Sequence, residues 1–458
     1  MDLSKWMTRA IEENAKWQDS FAPFSPHSSM EVEDDAFSDV FQDFTKRLGK
    51  NYPFFHPSYA GHMVRPPHFA ATVGYLATML INPNNHAFDG GPATVEMEKE
   101  VVARLSAMFG FDASLGHLTT SGTIANLEAL YVARELRPGR GVAFSEEAHF
   151  THSRMCRVLG LEGHTVSADR RGRMDVEALE KLLRTQQIGT VVLTAGTTGL
   201  GAVDPIHEVL ALRERYDIRI HVDAAYGGFF TLLKGLDNAE AVPPEPWLAV
   251  SQCDSVVVDP HKHGLQPYGC GAVLFNDPDV DRFYAHDSPY TYCAAAEFNP
   301  GETSLECSRS GAAAAALWLT FQVLPPTPSG LGRVLAAGRR AALDWSARIA
   351  SSEVLELYQE PELDIVTYFP VVRPASMKLI DQTSARMLEN GAKGTDPVFL
   401  STLKVPSGAL TGRHSGVVAD ASEARIIRSV LMKPEFEHFI PRLHDRVETL
   451  ASSQTGFS

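Results

Sequence analysis

HVDAAYGG at 221–228 and DPHKHG at 259–264 are the two stretches that decide how this chain is read. Each lies at the end of an apolar, β-branched run, IRIHVDAA (218–225) and SVVVDPHK (255–262). Short runs of this composition, bounded by Gly and Pro, predict buried strands. Working outward, GVAF (141–144) and TVVLTAG (190–196) stand before them and GAVLF (271–275) after. Helical patterns such as DVEALEKLLRT (175–185) and IHEVLALRERY (206–216) fill the gaps. Strand–helix–strand alternation predicts an α/β domain with a large, mostly parallel sheet covered on both faces. The last two runs, separated by HGLQPYGCG (263–271), predict an antiparallel or irregular connection.

Around that centre the texture changes twice. Residues 1–78 begin with a helical pattern (Trp6, Ile11, Trp17) and continue into NYPFFHPSYAGHMVRPPHF (51–69). A Pro-, His- and aromatic-rich stretch builds no core of its own, so it is expected to wrap over another surface, with a partner subunit as one candidate. Residues 79–325 form the large domain. The Pro-rich LPPTPSG (324–330) reads as a junction to a smaller α+β domain, 326–458. In that domain GLGRVLAAGRRAALDWSARIAS predicts a helix, ELDIVTYFP and VFLSTLKVP predict strands, and EARIIRSVLMKPEFEHFIPRLHDRVETLA closes the chain.

With 458 residues the chain is long enough for two cores. Its net charge of −15 argues against nucleic acid or an anionic membrane as the main partner, since both require clustered positive charge. The cysteines Cys156, Cys253, Cys270, Cys293 and Cys307 form no CxxC pair and are scattered, as thiols in a reducing compartment are. No HExxH pattern occurs, and no metal is expected. The first residues lack the apolar core of a signal peptide, and apolar stretches such as 312–324 fall short of a membrane span. A cytoplasmic protein is the expectation.

Lys262 follows one strand end and Asp223 closes the strand before it. In an open sheet both side chains would then enter one cleft. A lysine and a carboxylate in one cleft match the needs of pyridoxal 5′-phosphate (PLP). The lysine forms an imine with the cofactor's aldehyde, and the carboxylate keeps the ring nitrogen protonated so that the ring accepts electrons. Either residue alone reads equally well as a turn cap or a surface lysine. In LTTSGTIANLEAL (118–130), small hydroxylated residues precede a helix, whose N-terminus suits a phosphate. Gly122 and Thr123 are the best contacts there, with Thr120 and Ser121 beside them, although simple capping by Ser or Thr explains the pattern too. In SEEAHFTHSR (145–154), His149 follows a strand and suits a place against the ring face. In LTAGTTGLGAVDPI (193–206), Thr198 and Asp204 are candidates to support the ring and the Asp223 carboxylate.

In this order the four segments resemble the PLP-dependent group II amino-acid decarboxylases, from HPSYAGH (56–62) to SLECSRSGAAAAALW (304–318). The resemblance implies a PLP-dependent transferase-like fold of type I, a homodimer with its active site at the subunit interface, and an amino-acid substrate. It assigns Lys262 as the Schiff-base lysine, Asp223 as the ring-nitrogen partner and His149 as the stacking residue. Ala225 would pack on the opposite face, Gly122, Thr123 and His261 would contact phosphate, and Thr198 and Asp204 would surround the ring. In the family a mobile loop carries a proton-donating tyrosine. AHDSPYTYCAAAEFNPGE (285–302) offers Tyr290 and Tyr292 for that role, with His149 as another donor. Arg309 and Arg428 are both candidates to hold a carboxylate or a neighbouring subunit.

Two departures from the family bear on substrate. Ser121 stands where many members have a second glycine, and HGLQPYGCG follows the lysine where the best-known decarboxylases have Trp-containing or aliphatic sequences. The latter is similar to the archaeal tyrosine/aspartate decarboxylase and lyase branch. The expected activity is decarboxylation of an L-amino acid to its amine, with aromatic substrates favoured by the aromatic-rich segments. Transamination, elimination or carbon–carbon or carbon–sulfur lysis, and decarboxylation coupled to oxidative deamination are rivals on the same scaffold. A binding module without catalysis is the non-enzymatic alternative.

Overall fold

The computed structural model describes residues 2–112, 114–284 and 300–455. Among them, seven strands build the large sheet: β1 (Leu115–Thr119), β2 (Gly141–Ser145), β3 (Gly163–Val166), β4 (Ile188–Thr194), β5 (Arg219–Asp223), β6 (Ser255–Val258) and β7 (Gly271–Phe275). Their order is β1-β7-β6-β5-β4-β2-β3. The central run β6-β5-β4-β2-β3 is parallel, and β7 is antiparallel to both of its neighbours. The connection after Lys262 is therefore an antiparallel return, as expected. Val191, Val192, Ile220, Val222, Val256 and Val257 are fully buried, because helices cover both faces. The strands β1 and β3 escape a reading by apolar runs: each is short, and one carries His117 and the other His164.

Register decides where the strand ends meet. Thr194, Asp223 and Val257 lie side by side across β4, β5 and β6. On the other flank, Thr119 at the end of β1 pairs with Gly271 at the start of β7. Residues that leave β1, β2, β4, β5 and β6 at their C-terminal ends thus emerge along one edge of the sheet.

After the Pro-rich junction the helix Gly332–Ala350 leads into a second sheet of β8 (Leu355–Gln359), β9 (Ile365–Pro370), β10 (Ser401–Pro406) and β11 (Glu423–Val430). It is antiparallel, in the order β10-β11-β9-β8. The closing run of the sequence divides into β11 and the helix Phe436–Thr455. Trp345, Tyr368 and Phe436 are buried in the core of this smaller unit.

The stretch 51–69 is hydrogen-bonded to other parts of the same chain. Ala60 N–H donates to the Phe399 carbonyl, Lys433 Nζ to the Tyr59 carbonyl at 2.6 Å, and Tyr268 Oη to the Met63 carbonyl. The two helices before it, Leu3–Gln18 and Asp34–Leu48, contain no buried residue. No helix among the described residues is long and apolar enough to cross a membrane.

Candidate active site

The edge where the strands end holds a pocket of ≈ 200 Å³. Ser121, Gly122, Thr123, His149, Thr198, Asp223, Ala225, His261 and Lys262 all line it. Segments far apart in sequence converge there because each follows a strand of the same sheet.

Lys262 is presented by a tight loop after β6. Its own N–H donates to the Asp259 carbonyl, and Gln266 N–H reaches back to the Pro260 carbonyl. Gly264 permits this path, since a Cβ there would come 2.6 Å from Pro260 Cα. Leu265, buried, holds a left-handed φ of 62°, a conformation seldom adopted by branched side chains and one found at functional sites. The Lys262 Nζ lies 3.0 Å from Asp259 Oδ2. The other oxygen of Asp259 is buried without a hydrogen-bond partner among the described residues.

Asp223 is buried at the end of β5. Its Oδ1 accepts Ala225 N–H at 3.1 Å and its Oδ2 faces His152 Nε2 at 2.8 Å. Burial alone would raise its carboxyl, but its hydrogen bond and electrostatic interaction with His152, aided by the Lys262 charge, prevail and hold it below the ordinary carboxylate range. It is an anion at working pH. His149 Nδ1 accepts Thr151 N–H, which fixes the ring's orientation. Burial lowers the affinity of the His149 imidazole for a proton, with Asp223 opposing, so the ring tends to the neutral form.

The opposite end of the pocket is the N-terminus of the helix Gly122–Leu136, where Ser121 Oγ caps Ile124 N–H. A Cβ on Gly122 would meet both Asp259 oxygens at 2.7 Å, so a side chain here would have to displace the Asp259 carboxylate. Asn126, one turn on, donates to the Gly122 carbonyl at 2.8 Å and accepts from His221 Nε2 at 2.9 Å. His261 Nδ1 donates to the Cys270 carbonyl at 2.8 Å. An anion-binding helix end, a buried carboxylate and a lysine in one pocket fit a phosphorylated pyridine aldehyde.

Asp204, expected to support the ring and the Asp223 carboxylate, is not among the lining residues. Its two oxygens accept Met174 N–H and Thr194 N–H, both at 2.7 Å, so it ties down the end of β4. Arg309 is also consumed structurally. Its Nη1 lies 2.5 Å from Glu98 Oε1 and 2.7 Å from the Leu118 carbonyl, both buried. Arg428, on β11, donates Nε to the Gly199 carbonyl at 3.2 Å, next to Thr198, and its Nη2 is buried without a partner among the described residues. Tyr290 and Tyr292 lie outside the described residues.

Six lining residues went unread in the sequence: Asn126, Thr151, Thr194, Gly196, Tyr226 and Asp259. So did His152, which touches Asp223. The signals were present, a polar Asn in an apolar helix and a second histidine three residues after His149, but each is equally common in structural positions.

The family model described as the pyridoxal-dependent decarboxylase conserved domain matches residues 25–369. The chain is 25% identical to an L-tyrosine decarboxylase of Enterococcus faecium, over 84% of this chain and 82% of that one. It is 31% identical to a probable L-tyrosine/L-aspartate decarboxylase of Methanothermobacter thermautotrophicus, over 60% of this chain and 73% of that one. The fold is similar to that of Oryza sativa TDC, solved with PLP and tryptamine. The TM-score is 0.79 at 16% identity, covering 99% and 98% of the two chains.

Proposed function

Because the chain belongs to the pyridoxal-dependent decarboxylases, we propose that the pocket at the strand ends is its active site. The protein is a PLP-dependent amino-acid decarboxylase, a carboxy-lyase. The observation that supports this location is that Lys262 and Asp223 line one pocket.

Bound PLP supplies the electron sink for loss of CO2 from an α-amino acid. In our reading Lys262 carries the cofactor and Asp223 faces its ring nitrogen. The backbone N–H groups of Gly122 and Thr123, with Ser121 and His261, hold the phosphate. The His149 ring would pack against one side of the bound cofactor and Ala225 against the other, with Thr198 at the margin. Asp259 keeps the Lys262 ammonium within reach of the pocket and is its proton partner. The proton returned to the product is held on Tyr290 Oη, Tyr292 Oη or His149 Nε2.

We assign aromatic L-amino acids, L-tyrosine first, as the substrate class, on the strength of the tyrosine decarboxylase relatives. One observation favours a second reading, an acidic substrate: the Nη2 of Arg428, near Gly199 and without a partner among the described residues, suits a carboxylate. The test is to incubate the reconstituted full chain with each amino acid and measure CO2 against keto-acid. Keto-acid without CO2 would reject the assigned reaction. Arg428→Gln separates the two readings. It should raise KM roughly 10- to 100-fold, the loss of one charge-assisted hydrogen bond. If Arg428 holds a side-chain carboxylate, only L-aspartate suffers.

We further propose a homodimer in a reducing cytoplasm. The first two helices expose Trp6, Ile11 and Trp17, then Phe37, Phe41 and Phe44, more apolar surface than a solitary chain normally leaves in water. Cys156, Cys253, Cys270 and Cys307 are unpaired thiols. Phe41→Glu with Phe44→Glu should shift the sedimenting species from dimer to monomer; a dimer that persists would move the interface elsewhere.

A further inference from the structure

We propose that His152 is a positioning residue of the decarboxylation: as a neutral imidazole it donates Nε2–H to Asp223 and leaves that carboxylate's full charge to keep the cofactor's ring nitrogen protonated. The proposal rests on the reading of Asp223 as the ring-nitrogen partner.

His152 is the second residue of the helix Thr151–Leu159 and is completely buried. Its Nε2 lies 2.8 Å from Asp223 Oδ2, while Ala225 N–H occupies Oδ1. Each carboxylate oxygen thus has one protein donor, and the carboxylate cannot rotate without breaking a buried hydrogen bond. An ionised Asp223 only accepts, so the shared proton belongs to His152 Nε2. The second ring nitrogen, Nδ1, is buried and has no hydrogen-bond partner among the described residues. The His152 ring lies tilted near Phe144, centroids 6.1 Å apart. A proton on Nδ1 would be a buried donor facing no acceptor, so the geometry selects the singly protonated ring.

Neutrality is what gives the contact a function. An imidazolium would form a closed ion pair with Asp223 and cancel the field that a pyridinium needs. A neutral donor makes Asp223 a weaker base without cancelling its charge. A proton shared between that carboxylate and a pyridine nitrogen then stays on the nitrogen. The neighbouring imidazole on the same strand face is neutral as well. His221 is engaged by Ser255 Oγ at 2.8 Å and Asn126 Oδ1, and burial pushes it down to about 3. Lys262 and His149 are further titratable neighbours of Asp223, and both line the pocket itself.

The test is the NMR signal of an isotopically labelled ring nitrogen in PLP bound to the full chain. It is recorded for the wild type, His152→Leu, His152→Gln and Asp223→Asn, with kcat and KM measured alongside. His152→Leu should move the signal toward neutral pyridine and lower kcat roughly 10- to 100-fold with KM nearly unchanged, as lost supporting contacts do. His152→Gln, which retains an N–H donor, should restore the protonated signal and most of kcat. A protonated signal in His152→Leu that moves only in Asp223→Asn overturns the role of His152 alone. A signal indifferent to Asp223→Asn overturns the underlying reading of Asp223. Should His152→Leu not fold, the imidazole signals of the wild type decide. A ring carrying its proton on Nδ1, or on both nitrogens, refutes the proposal.

Discussion

Lys262→Ala should lose covalent attachment of PLP and at least ~10³-fold of the decarboxylation rate, as removal of a covalent catalyst does. Lys262 is the only lysine among the described residues that line the pocket. Its backbone is set by the tight loop from Asp259 to Gln266, which alanine can follow. The loss should therefore be chemical, with the fold intact. Borohydride reduction followed by mass spectrometry measures attachment directly: the wild type gains a cofactor adduct at Lys262 and the variant does not. An adduct on another lysine, or an unchanged rate, would remove Lys262 from its assigned place. Circular dichroism of the variant should match the wild type, because the Lys262 side chain is 21% exposed and, among the described residues, its one ion pair is with Asp259.

Asp223→Asn should lower kcat by roughly 10²- to 10³-fold, the usual cost of deleting one preorganised charge from a buried site. The amide is close in shape to the carboxylate and can still accept Ala225 N–H, but it carries no charge to hold a proton on the ring. The pH dependence supplies a control. The carboxyl of Asp223 lies below its unfolded value of 3.8, so its contribution to stability is fully present above that value. It is lost only in strong acid, as pH falls through the folded value. An inflection in rate near neutral pH must therefore come from another group, and it should survive in Asp223→Asn. A kcat unaffected by the substitution would disconnect Asp223 from the chemistry.

Much of this architecture was legible in one dimension. The β-branched runs at 190–196, 218–225 and 255–262 became β4, β5 and β6 because such side chains suit a pleated surface buried on both sides. The helix reading of 175–185 held because Asp175 caps its first turn. The weak places have physical causes. A strand such as β1, with buried His117 paired to Glu128, carries polar residues whose satisfaction depends on a helix eleven residues away. Arg309 and Arg428 are indistinguishable as letters. One faces buried Glu98 and the other has an Nη2 without a partner among the described residues, and only packing separates them.

Taken alone, the sequence determined the fold class and the pairing of Lys262 with Asp223, since both follow from local apolar patterning and from which side chains stand at strand ends. Tertiary structure alone decided the rest. Asp204 was drawn to the backbone of β4, and His152 was brought to Asp223 from 71 residues away. Such contacts depend on strand register and on how a helix lies across the sheet. Those are long-range properties of the packed chain, and no local spacing encodes them.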